Sequence, residues 1–360
     1  MVRPKKILHI IESLGIGGAE RSLIQMVNGL SEFDHIVVVL ARPNDLAVQI
    51  TNGKVINLGV TSFWGYLRAI LRIRKLIKEN SVTIVHAQLF KSTIVGRLAA
   101  GRKYPFVFTL QSMLGEDLFR KSFPARVLER LTCRPSNFLI AVSNEALHDY
   151  EKYISRPKEK RVISNSIDIR FFATVFKELT PQKKIRAVAV GNLKPLKNFD
   201  YLLDAFREIG SENFELDIYG EGVDRKHLET RIRVENLRVS LKGNAADLYE
   251  RLKDYDIYLH CSKYEGASLA VFEAMASGLP LIVSDIPVLH ENTGGFASFV
   301  NLSDSKDLAQ KLILIQKGES NINTIGKKGF EWVKKIAHPD VVFTQIADFY
   351  DHIYSEIRSV

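Results

Sequence analysis

The chain has 360 residues, 46% hydrophobic and 25% charged, enough to bury two cores of ordinary size, while its longest apolar runs, such as Ile36 to Ala41, are far too short to cross a bilayer. Its two cysteines, Cys133 and Cys261, lie far apart with no Cys or His at metal-ligand spacing, which argues against a disulfide framework and reads as reduced thiols in a cytoplasmic protein. The net charge of +9 is uneven: residues 1–175 hold 26 Lys+Arg against 14 Asp+Glu, the remainder 24 against 27, so a polyanion or an anionic membrane surface is the partner expected of the first half.

MVRPKK leads into KILHIIESLG, where Glu12 and a glycine loop interrupt the apolar stretch, unlike a signal peptide. Lys6 to Ile11 is predicted as a strand, followed by SLGIGG and a helix opening at Gly18. The pattern is not the dinucleotide fingerprint, because Glu20 stands where the third glycine belongs, and the second strand, His35 to Leu40, ends in Arg42-Pro43 and not in a ribose-binding acid. Helix Trp64 to Glu79 then precedes strand Thr83 to His86, helix Lys91 to Ala100 precedes strand Phe106 to Leu110, and a basic helical segment precedes strand Phe138 to Val142 and helix Asn144 to Ile154. A domain boundary is expected between Asp168 and Lys184, with residues 1–175 in the first domain, 176–340 in the second, and Thr180-Pro181-Gln182-Lys183-Lys184 as a linker.

The second half restarts the alternation with strand Ile185 to Val190, the loop GNLKPLKN and helix Phe199 to Ile209. Strand Leu216 to Tyr219 ends in Gly220-Glu221-Gly222, and strand Val239 to Lys242 follows. Next comes a strand, loop, helix, strand unit: Ile257 to Cys261, a small polar loop holding Glu265, a helix from Leu269 to Ser277, and Leu281 to Ser284. From about Ser303 the chain reads as helical, its last segment spanning Val341 to Ile357.

Glu265 and Glu273, eight residues apart within EG-x5-FEAMA-x-G-x-P together with Gly266, Ala274, Met275, Ala276, Gly278 and Pro280, resemble the E-x7-E segment of the retaining, nucleotide-sugar-dependent glycosyltransferases of family 4 (glycosyl transferases group 1). The resemblance implies the GT-B fold, an α/β architecture of two doubly wound Rossmann-like domains facing a central cleft, with the final helix packed on the first domain. It implies a sugar transferred from a nucleotide sugar, a UDP-sugar by expectation, to a saccharide or lipid-linked glycan, with no cofactor and no metal. Glu273 is assigned to the donor ribose and Glu265 to the sugar hydroxyls. Backbone amides from Gly266, Ala267, Ser268 and Leu269 are assigned to the distal phosphate, with Ser268 where relatives commonly have glycine. Lys197 is assigned to the diphosphate, where cations stabilise the leaving group, and it is expected, like Glu273, to project into a solvent-lined cleft. Gly17 and Gly18 in GGAER resemble the family's glycine loop, and Gly220 and Glu221 are placed with the donor site.

Departures from the family pattern bear on chemistry. Asn192 takes the place of an Arg, removing one fixed cation from the diphosphate loop. Gln111, after strand Phe106 to Leu110, takes the place of a His near the transferred sugar and does not titrate; His86 is its fallback as a ligand contact. These departures keep open a catalytically degenerate sugar-nucleotide-binding or assembly subunit as an alternative, beside an epimerase or hydrolase on the same fold. Asp254-Tyr255-Asp256 spells a metal-binding D-x-D but precedes a strand, at the edge opposite to ligands in such sheets.

Residues 115–134 set Leu118, Phe119, Phe123, Val127, Leu128 and Leu131 among Arg120, Lys121, Arg126, Arg130 and Arg134, the composition of an interfacial helix, with Pro124 either breaking or starting it. Taken alone the segment also fits an ordinary surface helix with its apolar side in the core. Taken with Arg68, Arg72, Arg74, Lys75 and Lys78 on another helix and with Arg102-Lys103 in the same basic half, membrane association of the first domain, peripherally on the inner face, is expected. No nucleic-acid motif accompanies the charge.

Overall fold

The computed structural model describes residues 5–154, 156–172, 176, 178–180, 184–210 and 212–358. Val175, where the domain boundary is expected, and Pro181, Gln182 and Lys183 of the expected linker lie outside the described residues. The chain forms two compact units, Met1–Ser166 with Pro339–Val360, and Ile167–His338. The last helix, Pro339–Arg358, thus belongs to the first unit.

The first unit holds seven strands, β1 (Lys6–Ile11), β2 (Asp34–Val39), β3 (Lys54–Asn57), β4 (Ile84–Gln88), β5 (Phe106–Leu110), β6 (Phe138–Ala141) and β7 (Glu159–Val162), in the order β3-β2-β1-β4-β5-β6-β7. The second holds β8 (Ile185–Val190), β9 (Phe214–Tyr219), β10 (Val239–Gly243), β11 (Ile257–His260), β12 (Leu281–Ser284) and β13 (Ser298–Val300), in the order β10-β9-β8-β11-β12-β13. All neighbouring pairs are parallel. Parallel sheets need helical crossovers that cover both faces, which is why the central strands are apolar throughout. On β1, Leu8 and Ile10 join a core with Ala69, Ile73 and Val95 from helices Phe63–Glu79 and Phe90–Ala100. Ile7 and Ile11 face the opposite way, into a core with Leu23 and Val27 of helix Gly18–Gly29 and with Val342, Ile346, Phe349, Tyr350 and Ile353 of the last helix.

The order of each sheet reverses direction once, between β1 and β4 in the first and between β8 and β11 in the second. Loops leaving neighbouring strands at such a reversal diverge to opposite faces and open a crevice at the carboxyl edge. The GNLKPLKN loop and the loop carrying Glu265 are the two that leave the reversal in the second sheet.

Three strands escape the sequence reading, β3, β7 and β13, as do helices Arg225–Val234 and Pro287–Thr293. Each of the three strands is an outermost strand and carries polar or half-exposed residues, so no apolar run marks it. The strand expected over Thr83 to His86 instead spans Ile84–Gln88, moving His86 from the strand end into its middle.

Candidate active site

In the second unit, Lys197 and Glu265 meet although 68 residues separate them. Lys197 closes a short 3-10 turn, Pro195–Lys197, just past β8; Glu265 lies in the loop after β11. A backbone hydrogen bond from Lys263 N to Leu196 O (3.0 Å) ties the two loops together. Lys197 Nζ donates to Glu265 Oε1, and His260, the last residue of β11, lies 2.9 Å from the same oxygen through Nε2. His260 is buried, and its Nε2 also lies near Ser262 Oγ (3.1 Å) and Ser268 Oγ (3.4 Å), with Tyr258 OH 3.4 Å from Nδ1.

The electrostatics follow from this arrangement. Burial works against the charged form of Glu265, but the Lys197 ammonium and the His260 hydrogen bond outweigh it, holding the carboxyl well below its ordinary range. For His260 burial wins over Glu265 and lowers the pKa, so the ring is neutral and its Nε2 proton points at the carboxylate. Glu265 is thus an ionised carboxylate gripped from two sides. The helix Leu269–Ala276 starts three residues beyond Gly266, and its first N–H groups have no partner within the helix. Ser268, at its N-cap, makes no capping bond with its side chain. Glu273 sits on this helix, and its charge, after burial, contributes to raising the pKa of Tyr258. The expectation that Glu273 projects into solvent is corrected: the residue is 6% exposed, because the apolar FEAMA segment sinks its helix into the core, whereas the Lys197 side chain keeps 20%.

The carboxyl edge of the first sheet gathers neutral side chains. Ser22 Oγ donates to Asn165 Oδ1 (2.7 Å), Asn165 Nδ2 to Gln111 Oε1 (2.9 Å), and Gln111 Nε2 to Gln88 Oε1 (3.1 Å). Ser22 is on the helix after β1, Gln88 ends β4, Gln111 follows β5 and Asn165 follows β7, so four separate elements meet there. Gly17 caps that first helix in an extended conformation and Gly18 opens it. His86 lines a small cavity together with these side chains, but it is buried in mid-strand with Nδ1 on Tyr350 OH (2.5 Å) and Nε2 on Thr109 Oγ1 (2.7 Å), so both ring nitrogens are engaged as in a structural histidine.

Residues 171–332 match the family described as glycosyl transferases group 1, and residues 16–171 match the one described as glycosyltransferase family 4. The chain is a glycosyltransferase. It is 31% identical over 241 residues, 61% of this chain and 62% of the relative, to the UDP-Gal:alpha-D-GlcNAc-diphosphoundecaprenol alpha-1,3-galactosyltransferase of Escherichia coli. It is 24% identical over 336 residues, 88% of this chain and 90% of the relative, to the Campylobacter jejuni GalNAc-alpha-(1->4)-GalNAc-alpha-(1->3)-diNAcBac-PP-undecaprenol alpha-1,4-N-acetyl-D-galactosaminyltransferase. Among solved structures, Anabaena HepE in complex with UDP superposes with a TM-score of 0.82 at 19% identity, covering 96% of this chain and all of that one, a likeness of fold.

The remaining residues singled out in this glycosyltransferase divide into supporting and peripheral groups. Gly220, at φ +142°, leaves room for the β8 loop, since a Cβ there would stand 2.0 Å from Gly191 O; at Gly222 one would stand 2.3 Å from Leu193 O. These glycines thus let the loops after β8 and β9 touch. Glu221 is half-exposed and paired with Arg225 (2.6 Å), and Asn192 is exposed on the β8 loop. Asp256 lies at the amino end of β11, where it accepts from Arg186 N (2.9 Å), at the edge opposite to Glu265. Among the described residues one His/acid group is tight enough for a cation, Glu159, His352 and Glu356, and Glu159 opens β7, again at the amino edge. In the basic segment, Phe119 is buried and Leu118 half-buried, so those two serve the core, while Phe123, Leu128 and Leu131 of helix Phe123–Thr132 stay exposed. Arg120 pairs with Glu116, Arg130 bonds Tyr153 O (3.0 Å), Arg126 lies over the Phe123 ring, and Lys121 is exposed.

His260 is the residue that sequence reading misses. As one letter in IYLHCS it looks like any strand residue; only its alternation with Leu259, which faces the core, hints that it points elsewhere.

Proposed function

We propose that the protein is a retaining hexosyltransferase that moves a sugar from a UDP-sugar to a lipid-linked glycan. The observation that carries this reading is the Lys197, Glu265, His260 chain at the strand reversal of the second sheet, beside a helix N-terminus. Breaking the bond between the anomeric carbon and the distal phosphate oxygen leaves negative charge on the diphosphate. Lys197 and the N–H groups at Leu269 and Ala270 are suited to receive it, by charge and by the helix dipole. Lys197 then turns from Glu265 toward phosphate, while His260 keeps Glu265 in place for the sugar hydroxyls. Glu273 is assigned to the ribose. The acceptor oxygen bonds to the anomeric carbon on the face the diphosphate leaves, and its proton passes to the departing phosphate. On the first unit, the Gln111 amide offers a hydroxyl-binding group without a titratable proton.

The UDP-sugar and lipid-linked parts of the proposal take support from the names of the Escherichia coli and Campylobacter jejuni relatives, and from HepE structures that hold UDP and UDP-glucose. With no metal assigned to the diphosphate, a chelator is expected to leave turnover unchanged. The test is transfer from UDP-hexoses and UDP-N-acetylhexosamines to diphosphoprenol-linked saccharides, with the product anomer read by proton NMR. Release of UDP coupled to a product of the donor's own anomeric configuration is expected. An inverted product would refute retention, and donor binding without turnover across these acceptors would favour the degenerate subunit.

A further inference from the structure

Helix Phe63–Glu79 buries Ala69, Ile73, Leu76 and Ile77 in the core of the first unit, as an amphipathic helix should. Its outer face does not complete the pattern. Phe63 is 72% exposed, Trp64 68%, Leu67 42% and Leu71 63%. Isolated exposed apolar residues are ordinary on protein surfaces, but Phe63, Leu67 and Leu71 fall at steps of four, one row of the helix, and Trp64 packs edge-on against Phe63 with centroids 5.9 Å apart. Beside that row the same helix carries exposed Arg68, Arg72, Lys75 and Lys78, and its one acidic residue, Glu79, is held by Lys75 (3.5 Å).

Helix Phe123–Thr132 extends the same surface. Both helices pack against helix Phe90–Ala100: Arg74 donates to Leu98 O (2.8 Å) from one side, and Arg97 pairs with Glu129 (2.7 Å) on the other. The exposed Phe123, Leu128 and Leu131, with Lys121 and Arg130, therefore lie on the same side of the sheet as Trp64 and Arg68. Each helix of the pair follows a strand's carboxyl end, so Phe63, Trp64 and Phe123 stand toward the edge where Gln111 and Asn165 lie.

We propose that the first unit docks on an anionic lipid bilayer through the outer face of helix Phe63–Glu79, with Phe63, Trp64, Leu67 and Leu71 entering the interface between flanking cations. The occupant is identified by complementarity: a row of large apolar side chains bordered by four exposed cations matches acyl chains beneath anionic headgroups. The amphipathic aromatic at the helix start suits the headgroup boundary, where one side of the ring is wet. The row on helix Phe63–Glu79 leads this surface, the exposed Phe123, Leu128 and Leu131 of segment 115–134 lie on the same side of the sheet, and Leu118 and Phe119 of that segment serve the core. Sugar chemistry plays no part in the docking, so its test contains neither donor nor acceptor.

Flotation with equimolar phosphatidylglycerol and phosphatidylcholine vesicles, compared with phosphatidylcholine alone, tests the surface. Trp64 reports directly, because the only other tryptophan, Trp332, can be replaced by Phe, and its indole bonds Asn292 O within the second unit. Binding to the anionic vesicles, a blue shift of Trp64 emission and loss of both at high salt are expected. Since each cation near such a leaflet is worth about five-fold in binding, Arg68→Gln with Arg72→Gln should weaken partition by roughly twenty-five-fold. Phe63→Ser with Trp64→Ser should weaken it by about ten-fold, without unfolding, since neither side chain contributes to the core. Wild-type protein that neither floats nor shifts its emission at low salt overturns the proposal. So does self-association in the absence of lipid that the Phe63→Ser, Trp64→Ser variant abolishes, which would make this face a contact between copies.

Discussion

At the carboxyl edge of the first sheet, every member of the chain Ser22, Asn165, Gln111, Gln88 is neutral, and each donates in one direction to the next. At the carboxyl edge of the second sheet, a cation and a neutral imidazole converge on one carboxylate oxygen. Both edges arise from the same topology, a parallel sheet that reverses its order once, so the difference lies in the loops and not in the scaffold. Neutral amides recognise hydroxyls by the direction of their hydrogen bonds and pay little desolvation when covered. Paired charges respond to charge that develops during a reaction, because a preorganised cation needs no rearrangement of solvent. The contrast matches the proposed division of labour, with bond breaking assigned to the second edge and hydroxyl recognition to the first.

The largest effect that sharpens this division is expected from Lys197→Ala. Losing a preorganised cation at the leaving group lowers kcat by about 10²–10³-fold. Steady-state kinetics with a UDP-sugar read the change, while thermal unfolding should show the fold retained, because the Lys197 side chain is partly exposed. An unchanged kcat would move the leaving-group site away from the β8 loop.

Acid should then separate the two units by stability. In the first, burial pushes His86 down to about 3, burial and the neighbouring His35 and His86 lower His9, and burial lowers His35. An unfolded chain takes up these protons near the ordinary histidine value of 6.5, so the stability they confer is complete above that pH and falls as pH drops below it, by about 1.4 kcal/mol per pH unit for each residue. The second unit holds one comparable histidine, His260, where Glu265 opposes the effect of burial. Glu265 itself has a depressed pKa; its contribution is complete above the ordinary value of 4.5 and is lost only as pH falls below that. Between pH 6.5 and 4.5, amides of the first unit should therefore lose protection against hydrogen exchange before those of the second. Equal loss in both units would break the contrast.

A smaller effect belongs to Gln111→Leu. It interrupts the amide chain between Asn165 and Gln88 and is expected to lower kcat/KM for the acceptor by roughly ten-fold, about the worth of one or two hydrogen bonds, with the donor KM unchanged. A rise in donor KM instead would assign Gln111 to the donor's sugar.

Much of this was readable in the residues. Strand β1, strand β5, strand β8 and helix Phe199–Ile209 carry apolar runs or periods that buried central elements require, and they lie where the pattern places them. Glu265, Glu273 and Lys197 could be singled out by their spacing and loops. What escaped depends on partners distant in the chain. Strands β3 and β7 have a neighbour on one side only, so KVIN and EKRV need no apolar run. His86 attracts attention as a histidine near a strand end, yet its partner Tyr350 lies 264 residues away. His260 has the opposite history, a bland strand residue until the fold sets Glu265 above it.

The placement of helix Pro339–Arg358 in the first unit has a consequence for synthesis on the ribosome. One face of the first sheet is covered partly by Val342, Ile346, Phe349, Tyr350 and Ile353, and the buried His86 has Tyr350 as a hydrogen-bond partner. Before those residues emerge, helix Gly18–Gly29 covers only its own part of that face, and the part beneath the last helix is open, although its strands are among the earliest made. The whole of Ile167–His338 must be translated in between, roughly ten to thirty-five seconds at ordinary elongation rates. The residues of the second unit are thus all made before the first unit can close, and its early half waits with part of an apolar sheet face open to chaperones.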